Sequence, residues 1–192
     1  MNFSTQKLTR MGLLCAISVV LILIIKISFI PSATYLVYEP GDVPILLGSF
    51  MFGPIAGFIM TVVVALIQTA TSGKDGLIGC LMHIIATGTL AIVAGFIYKH
   101  LRNTYGAIAA LTLGSISMIL IMIPSNLFFT VRFYNVPYDV VKASIPTIYI
   151  PFNAIKSGIN SLLAFLLYMS LNRYLDFDGK RKSKNNSQIN FK

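Results

Sequence analysis

Apolar runs of about 17–25 residues follow one another along most of this chain, and most of its charges fall outside them. A run of that length is what a helix needs to cross the hydrocarbon core of a bilayer. Only a helix or a closed barrel satisfies its own backbone in lipid, and the alternating pattern of barrel strands is absent. The fold class read from the sequence is therefore an all-α polytopic membrane protein. A net charge of +9 invites a nucleic-acid reading. Much of the excess, however, lies after the last apolar run, at Arg173, Lys180, Arg181, Lys182 and Lys184, where it is a topology signal. No nucleic-acid partner is expected. Cys15 and Cys80 both fall inside apolar runs, without the neighbouring ligands that a metal site needs, and are read as packing residues.

Six transmembrane helices can be drawn. The first runs from Leu8 to Ile30 and stops at Pro31. The second, Val43 to Phe52, has only ten residues, about half a membrane of helix, and ends at Gly53-Pro54. The third is Ile55 to Thr71, the fourth Leu77 to Tyr98, and the fifth Ala107 to Phe129. A polar loop from Val131 to Pro146 precedes the sixth, Thr147 to Leu171. Residues 1–171 form the membrane domain, and 172–192 are read as a disordered basic tail. The basic start (Lys7, Arg10) before an apolar run resembles a signal peptide. It lacks a small-x-small cleavage site and more spans follow, so it is read as a retained helix.

Lys7, Arg10, Lys99, Arg102 and the basic tail fall on one side of a six-span chain, and only Lys74, Arg132 and Lys142 on the other. The positive-inside rule then places both termini in the cytoplasm. The loops carrying Glu39/Asp42, Lys74/Asp75 and Arg132/Asp139 face outward. Asn153 and Lys156 of the sixth helix and Asn126 of the fifth lie at the same outer depth.

That convergence predicts a site open to the exterior. Asn153 and Lys156 are i and i+3 on one helix face, offering an amide's donors and acceptors beside an ammonium. Such a pair suits the edge of a planar heterocycle, and Asn160 continues the stripe one turn deeper. Alternatively Lys156 snorkels to the headgroups and Asn153 caps the helix near Pro151. Asn126 either faces the site or bonds backbone freed by Pro124. His83 in mid-span is either a ligand contact or a helix–helix hydrogen-bonding group. Lys26 is expected to snorkel, while Gln68 and Thr71 are weaker candidates. The Tyr35–Asp42 loop, with Tyr38 and Glu39, reads as a lid over the cavity or as part of the interfacial aromatic belt. Asp42 reads as the N-cap of the second helix. Gly12 and Ala16 make a small-xxx-small pair on the first helix, with Ser18 nearby on its surface, where another helix can approach closely.

No G-x-x-x-x-G-K-S/T phosphate loop is present, nor an H-E-x-x-H or other zinc-like cluster. The internal aspartates are read as loop residues, so no carboxylate relay crosses the membrane. No catalytic set can be assembled, and no enzyme is expected. The chain reads as a binder without an engine of its own.

Three segments sharpen this reading. They are Leu36-Val37-Tyr38-Glu39-Pro40-Gly41-Asp42-Val43-Pro44, then Leu47-Gly48 with Phe52-Gly53-Pro54-Ile55-Ala56-Gly57, and Pro151-Phe152-Asn153-Ala154-Ile155-Lys156-Ser157-Gly158. Together they resemble the riboflavin-specific substrate-binding (S) component of energy-coupling factor (ECF) transporters of Gram-positive bacteria. The resemblance implies a six-helix S-component fold in the cell membrane, with riboflavin as transported ligand rather than cofactor. It implies flavin contacts at Asn153, Lys156 and Asn126. His83 stands where the family often has asparagine. Gly12 and Ala16 stand where the family usually has an alanine pair that docks on a transmembrane coupling subunit. Two separate ATPase subunits would supply the energy. Readings that stay open are the same scaffold carrying another vitamin, and a stand-alone facilitator or ion-coupled carrier.

Overall fold

The computed structural model describes residues 4–30, 36–72 and 76–175. Seven α-helices account for most of them: α1 Thr5–Ile24, α2 Asp42–Phe52, α3 Pro54–Ser72, α4 Gly76–His100, α5 Thr104–Phe133, α6 Tyr138–Ser144 and α7 Ile150–Leu175. A π-helical turn, Ile145–Tyr149, joins α6 to α7. By length and composition, five helices can cross a membrane: α1, α3, α4, α5 and the α6–α7 unit. Side chains such as Ile24, Leu77, Phe96 and Leu120 stay exposed on the outside of the bundle, as a lipid-facing surface requires. The protein is a multi-pass membrane protein.

The short second helix is the centre of the bundle. Every residue from Asp42 to Phe50 is buried, so α2 has no lipid face to present and is packed by α1, α3, α4 and α7. Close contact with its neighbours needs small residues. Ser49 donates to the carbonyl of Ala91 on α4 at 2.6 Å, and a Cβ on Gly95 would collide with the Ser49 hydroxyl and the Pro54 backbone. Gly53 takes φ 94°, a conformation that favours glycine, and turns the chain into α3. Lys7 of α1 donates to the Phe52 carbonyl at 3.4 Å, placing a cation at the C-terminal end of α2 where the helix dipole favours it. Further along, Phe50 stacks on Tyr98 at 4.3 Å, and Tyr168 of α7 meets both rings edge-on. Cys15 and Cys80 are free and buried.

Several boundaries differ from those read in the sequence. α1 ends at Ile24 rather than Ile30, because the chain beyond it is extended and Ile27 forms an antiparallel bridge with Tyr38. The two backbone bonds of that bridge are 3.0 and 2.8 Å long. Most of the expected loop from Val131 to Pro146 is helical. α5 continues to Phe133, and only residues 134–137 intervene before α6, with Asn135 at φ 53°. Val141, Ser144 and Ile148 recur at helical spacing and turn inward. Pro146 lies inside the π turn and Pro151 follows it, and each lacks the N–H that a regular i→i−4 ladder would use there. α7 runs to Leu175, so residues 172–175, taken as the start of the tail, are helical. The rest of the basic tail, Tyr35, and the Lys74/Asp75 turn lie outside the described residues.

Candidate ligand-binding site

A cavity of about 770 Å³ lies between α3, α4, α5, the α6–π segment and α7, and Leu36, Val37 and Glu39 also line it. Its volume is in the range of small-molecule sites. Met82, Ala86, Met118, Met122 and Phe152 give it apolar walls, and a few polar side chains converge on it from separate helices.

Asn126 and Asn153 line this cavity and are 1% and 3% exposed. Each amide NH₂ donates to the carbonyl four residues back, Asn126 to Met122 at 2.7 Å and Asn153 to Tyr149 at 2.8 Å. A carbonyl partner can be met only by the NH₂ end, so each Oδ1 is left without a partner among the described residues. Asn126 therefore bonds its own turn, not the Leu120 carbonyl that Pro124 deprives of an N–H. The carbonyl that Asn153 takes belongs to the π turn, and that irregular backbone sets the amide's direction. Lys156, one turn beyond Asn153, is half-buried at the cavity and makes no hydrogen bond or ion pair among the described residues. A half-buried ammonium with no hydrogen bond to the described residues has its donors available for a ligand acceptor.

Glu39 also borders the cavity. Its carboxylate accepts from Gln68 of α3 at 2.7 Å and lies 4.0 Å from the Lys26 ammonium. Burial raises its carboxyl above the ordinary range. Lys156, Lys26 and the Gln68 bond oppose that rise, and the Asp42 charge adds to it. Gln68 thus belongs at the cavity, whereas Thr71 is exposed and bonds the Ile67 carbonyl of its own helix.

Tyr38 does not line the cavity. It is buried at 4%, and its hydroxyl donates to Asn160 Oδ1 at 2.9 Å. Nor does Asn160 continue the stripe: its NH₂ donates to Asp42 Oδ2 at 2.9 Å and reaches the Glu39 carbonyl at 3.4 Å. Asp42 is not an N-cap. It is the first residue of α2, 1% exposed, and accepts from the Thr87 hydroxyl at 2.9 Å and from Asn160 rather than from its own helix amides. An acid expected in a loop is thus inside the bundle, because the donors that compensate its burial come from α4 and α7. Ser18, expected on the surface, is fully buried and bonds the Gly41 carbonyl. These ties and the Ile27–Tyr38 bridge pin the described part of the α1–α2 connection to the bundle.

His83 lines the cavity from α4, with Nε2 3.7 Å from Asp42 Oδ1. Outside the cavity lining, Gly12 and Ala16 are exposed on α1, and a Cβ at Gly12 would meet nothing within 4 Å among the described residues.

Comparison with known proteins places this arrangement. The family model described as "ECF transporter, substrate-specific component" matches residues 6–168. The chain is 32% identical over 177 residues to the riboflavin transporter RibU of Staphylococcus aureus, covering 88% of this chain and 92% of that one. It is 26% identical over 183 residues to the riboflavin transporter FmnP of Bacillus subtilis, covering 89% and 94%. A solved S component of a bacterial ECF transporter superposes with a TM-score of 0.76 at 33% identity, covering 88% of this chain and 97% of that one.

Proposed function

The chain belongs to the family of substrate-specific components of ECF transporters, and from that premise we propose that it is the riboflavin-binding subunit of an ATP-driven importer. The observation that carries the substrate is the cavity. Its apolar walls, with Met82, Met118, Met122 and Phe152, suit the flat faces of an isoalloxazine ring, and its polar groups sit where a ring edge and a hydroxylated chain need partners. Lys156 donates to a ring carbonyl, and the Oδ1 atoms of Asn126 and Asn153 accept from the ring imide or from ribityl hydroxyls. Glu39, held by Gln68, accepts beside them.

The remaining roles follow from the same premise. Both termini are cytoplasmic. The Gly12/Ala16 face of α1 receives a helix of the transmembrane coupling subunit, and two ATPase subunits supply the energy. Riboflavin is cargo, and the chain itself carries out no chemistry.

The detergent-purified protein tests the substrate. Riboflavin fluorescence should be quenched at one-to-one stoichiometry, or the preparation should be yellow as isolated. Asn153→Ala and Lys156→Ala should each weaken binding about tenfold or more, since an unmatched ligand polar group is costly to bury. A ligand-free preparation that leaves riboflavin fluorescence untouched would remove the substrate. Unchanged affinity in both variants would remove the site assignment.

A further inference from the structure

Behind the cavity wall, α2 and α4 bring a carboxylate and an imidazole together. Asp42 is 1% exposed, with Thr87 on Oδ1 and Asn160 on Oδ2, both at 2.9 Å. The third group facing it is His83, whose Nε2 lies 3.7 Å from Oδ1. That nitrogen is fully buried and has no hydrogen-bond partner among the described residues, while the residue itself borders the cavity. The separation is longer than a hydrogen bond, but it decides which form of the ring is tolerated. A lone pair on Nε2 would set two acceptors against each other with no donor between them. An N–H there is attracted by the carboxylate, and more strongly in a low-dielectric interior than in water. In a neutral imidazole, the partner of one nitrogen fixes the role of the other.

We propose that Asp42 is a positioning residue that holds the His83 proton on Nε2 and so makes Nδ1 a hydrogen-bond acceptor for the ligand. The identity of that ligand rests on the riboflavin reading; the tautomer is a property of the chain alone. The consequence is a cavity biased toward acceptors. Asn126 and Asn153 have their NH₂ groups tied to backbone carbonyls, so they meet a ligand with Oδ1. His83 adds Nδ1 and Glu39 a carboxylate, against the ammonium of Lys156 and the hydroxyls of Thr130 and Tyr134. Such a wall favours a molecule that offers O–H and N–H donors, as the hydroxyls of a polyol chain and the single N–H of an imide do. Histidine serves here where a neutral side chain without such a lock would leave the choice of donor or acceptor open.

The test uses the full chain labelled with nitrogen-15 histidine, without a polyhistidine tag and with His100→Gln to leave one histidine of the two. In long-range proton–nitrogen spectra, Nε2 is identified because it couples to both ring C–H protons. The expected spectrum has the proton on Nε2 and a bare Nδ1, and Asp42→Asn should convert it to averaged tautomers. A proton on Nδ1 in the parent protein overturns the proposal, and so does an unchanged Nε2–H spectrum in Asp42→Asn. Should Asp42→Asn fail to fold, Thr87→Val takes its place. It removes a donor to Asp42 but keeps the carboxylate, so it must keep the Nε2–H form, and loss of that form overturns the proposal. On addition of riboflavin, the Nδ1 resonance should move, and Asp42→Asn should bind about tenfold more weakly. Quenched riboflavin with an unmoved Nδ1 overturns the acceptor role and leaves the flavin site standing. No quenching, with the Nε2–H spectrum intact, defeats the flavin reading and supports the hold of Asp42 on His83.

Discussion

Asn160 is the residue on which the inner end of the α1–α2 connection depends. It accepts the Tyr38 hydroxyl, donates to Asp42, and reaches the Glu39 carbonyl. Asn160→Leu would leave the Tyr38 hydroxyl without its acceptor and Asp42 with one donor fewer, in a place no water replaces them. The expected cost is about 2–3 kcal/mol, read as a lower thermal midpoint in detergent, and Tyr38→Phe should cost about 1 kcal/mol. Equal midpoints for Asn160→Leu and the parent would show that the network carries no stability. None of this was visible in the sequence, because the Asp42 partners stand 45 and 118 positions away. A carboxylate at a helix start looks like a cap from its neighbours alone. Asn126, Asn153 and Lys156 were legible because helical spacing and the cost of polar groups in lipid need only local sequence. Glu39 gives a pH dependence. Its folded-state carboxyl is raised above 4.5 by burial, so the folded state holds its proton more tightly than the unfolded chain. Stability contributed by the protonated form is present below about pH 4.5 and is lost as pH rises through the folded value. Thermal melts of the ligand-free protein should show this slope, and Glu39→Gln should flatten it. A slope that is identical in the variant would mean that another group causes it.

At the scale of elements, hydropathy located every long helix, because the bilayer imposes length and apolarity on each of them. It located α2 as well, but as half a span, without saying that this helix is buried on every side. α6 escaped for the opposite reason. A helix of seven residues with Tyr138, Asp139 and Lys142 on it is too short and too polar for an apolar-run criterion, and its one inward row becomes meaningful only with α5 and the π turn in place. The early end of α1 was hidden too, since Ile24 and Ile25 read as continuing helix until Ile27 is seen paired with Tyr38. The tightest joint between elements is where α2, α3 and α4 cross. Gly95→Ala puts a methyl against the Pro54 backbone, which cannot swing aside, and against the Ser49 hydroxyl, which would have to give up its bond to the Ala91 carbonyl to move away. Overpacking of this kind costs about 1–3 kcal/mol. The variant should melt at a lower temperature than the parent, and its riboflavin affinity should fall only as far as the bundle shifts around Ala86 and His83 on the same helix. A melt indistinguishable from the parent would mean that α3 and α4 slide apart freely at this crossing.

On the proposed function, the whole molecule has two faces with different duties. One holds the cavity, bordered by the described part of the α1–α2 connection, which is pinned to α3 and α7 through Glu39, Tyr38 and Asn160. The outer side of α1 carries Gly12 and Ala16, both exposed, with nothing among the described residues within 4 Å of a Cβ at Gly12, while Ser18 and Ile22 of the same helix hold its inner side to the bundle. A helix can leave small residues on its lipid side at little cost, but close approach by a second helix is what makes use of them, since no hydrophobic effect drives association in lipid. The two faces should therefore separate by mutation. Gly12→Leu or Ala16→Leu adds bulk where nothing stands in the way, so the isolated protein should keep its melting temperature and its riboflavin affinity. Co-expressed with a coupling subunit and its ATPases, the same variants should fail to co-purify and should lose riboflavin uptake in cells. If they assemble and transport as the parent does, α1 does not carry the docking face. If they lose riboflavin binding in isolation, the two faces are not independent, and the division of labour between α1 and the cavity falls with them.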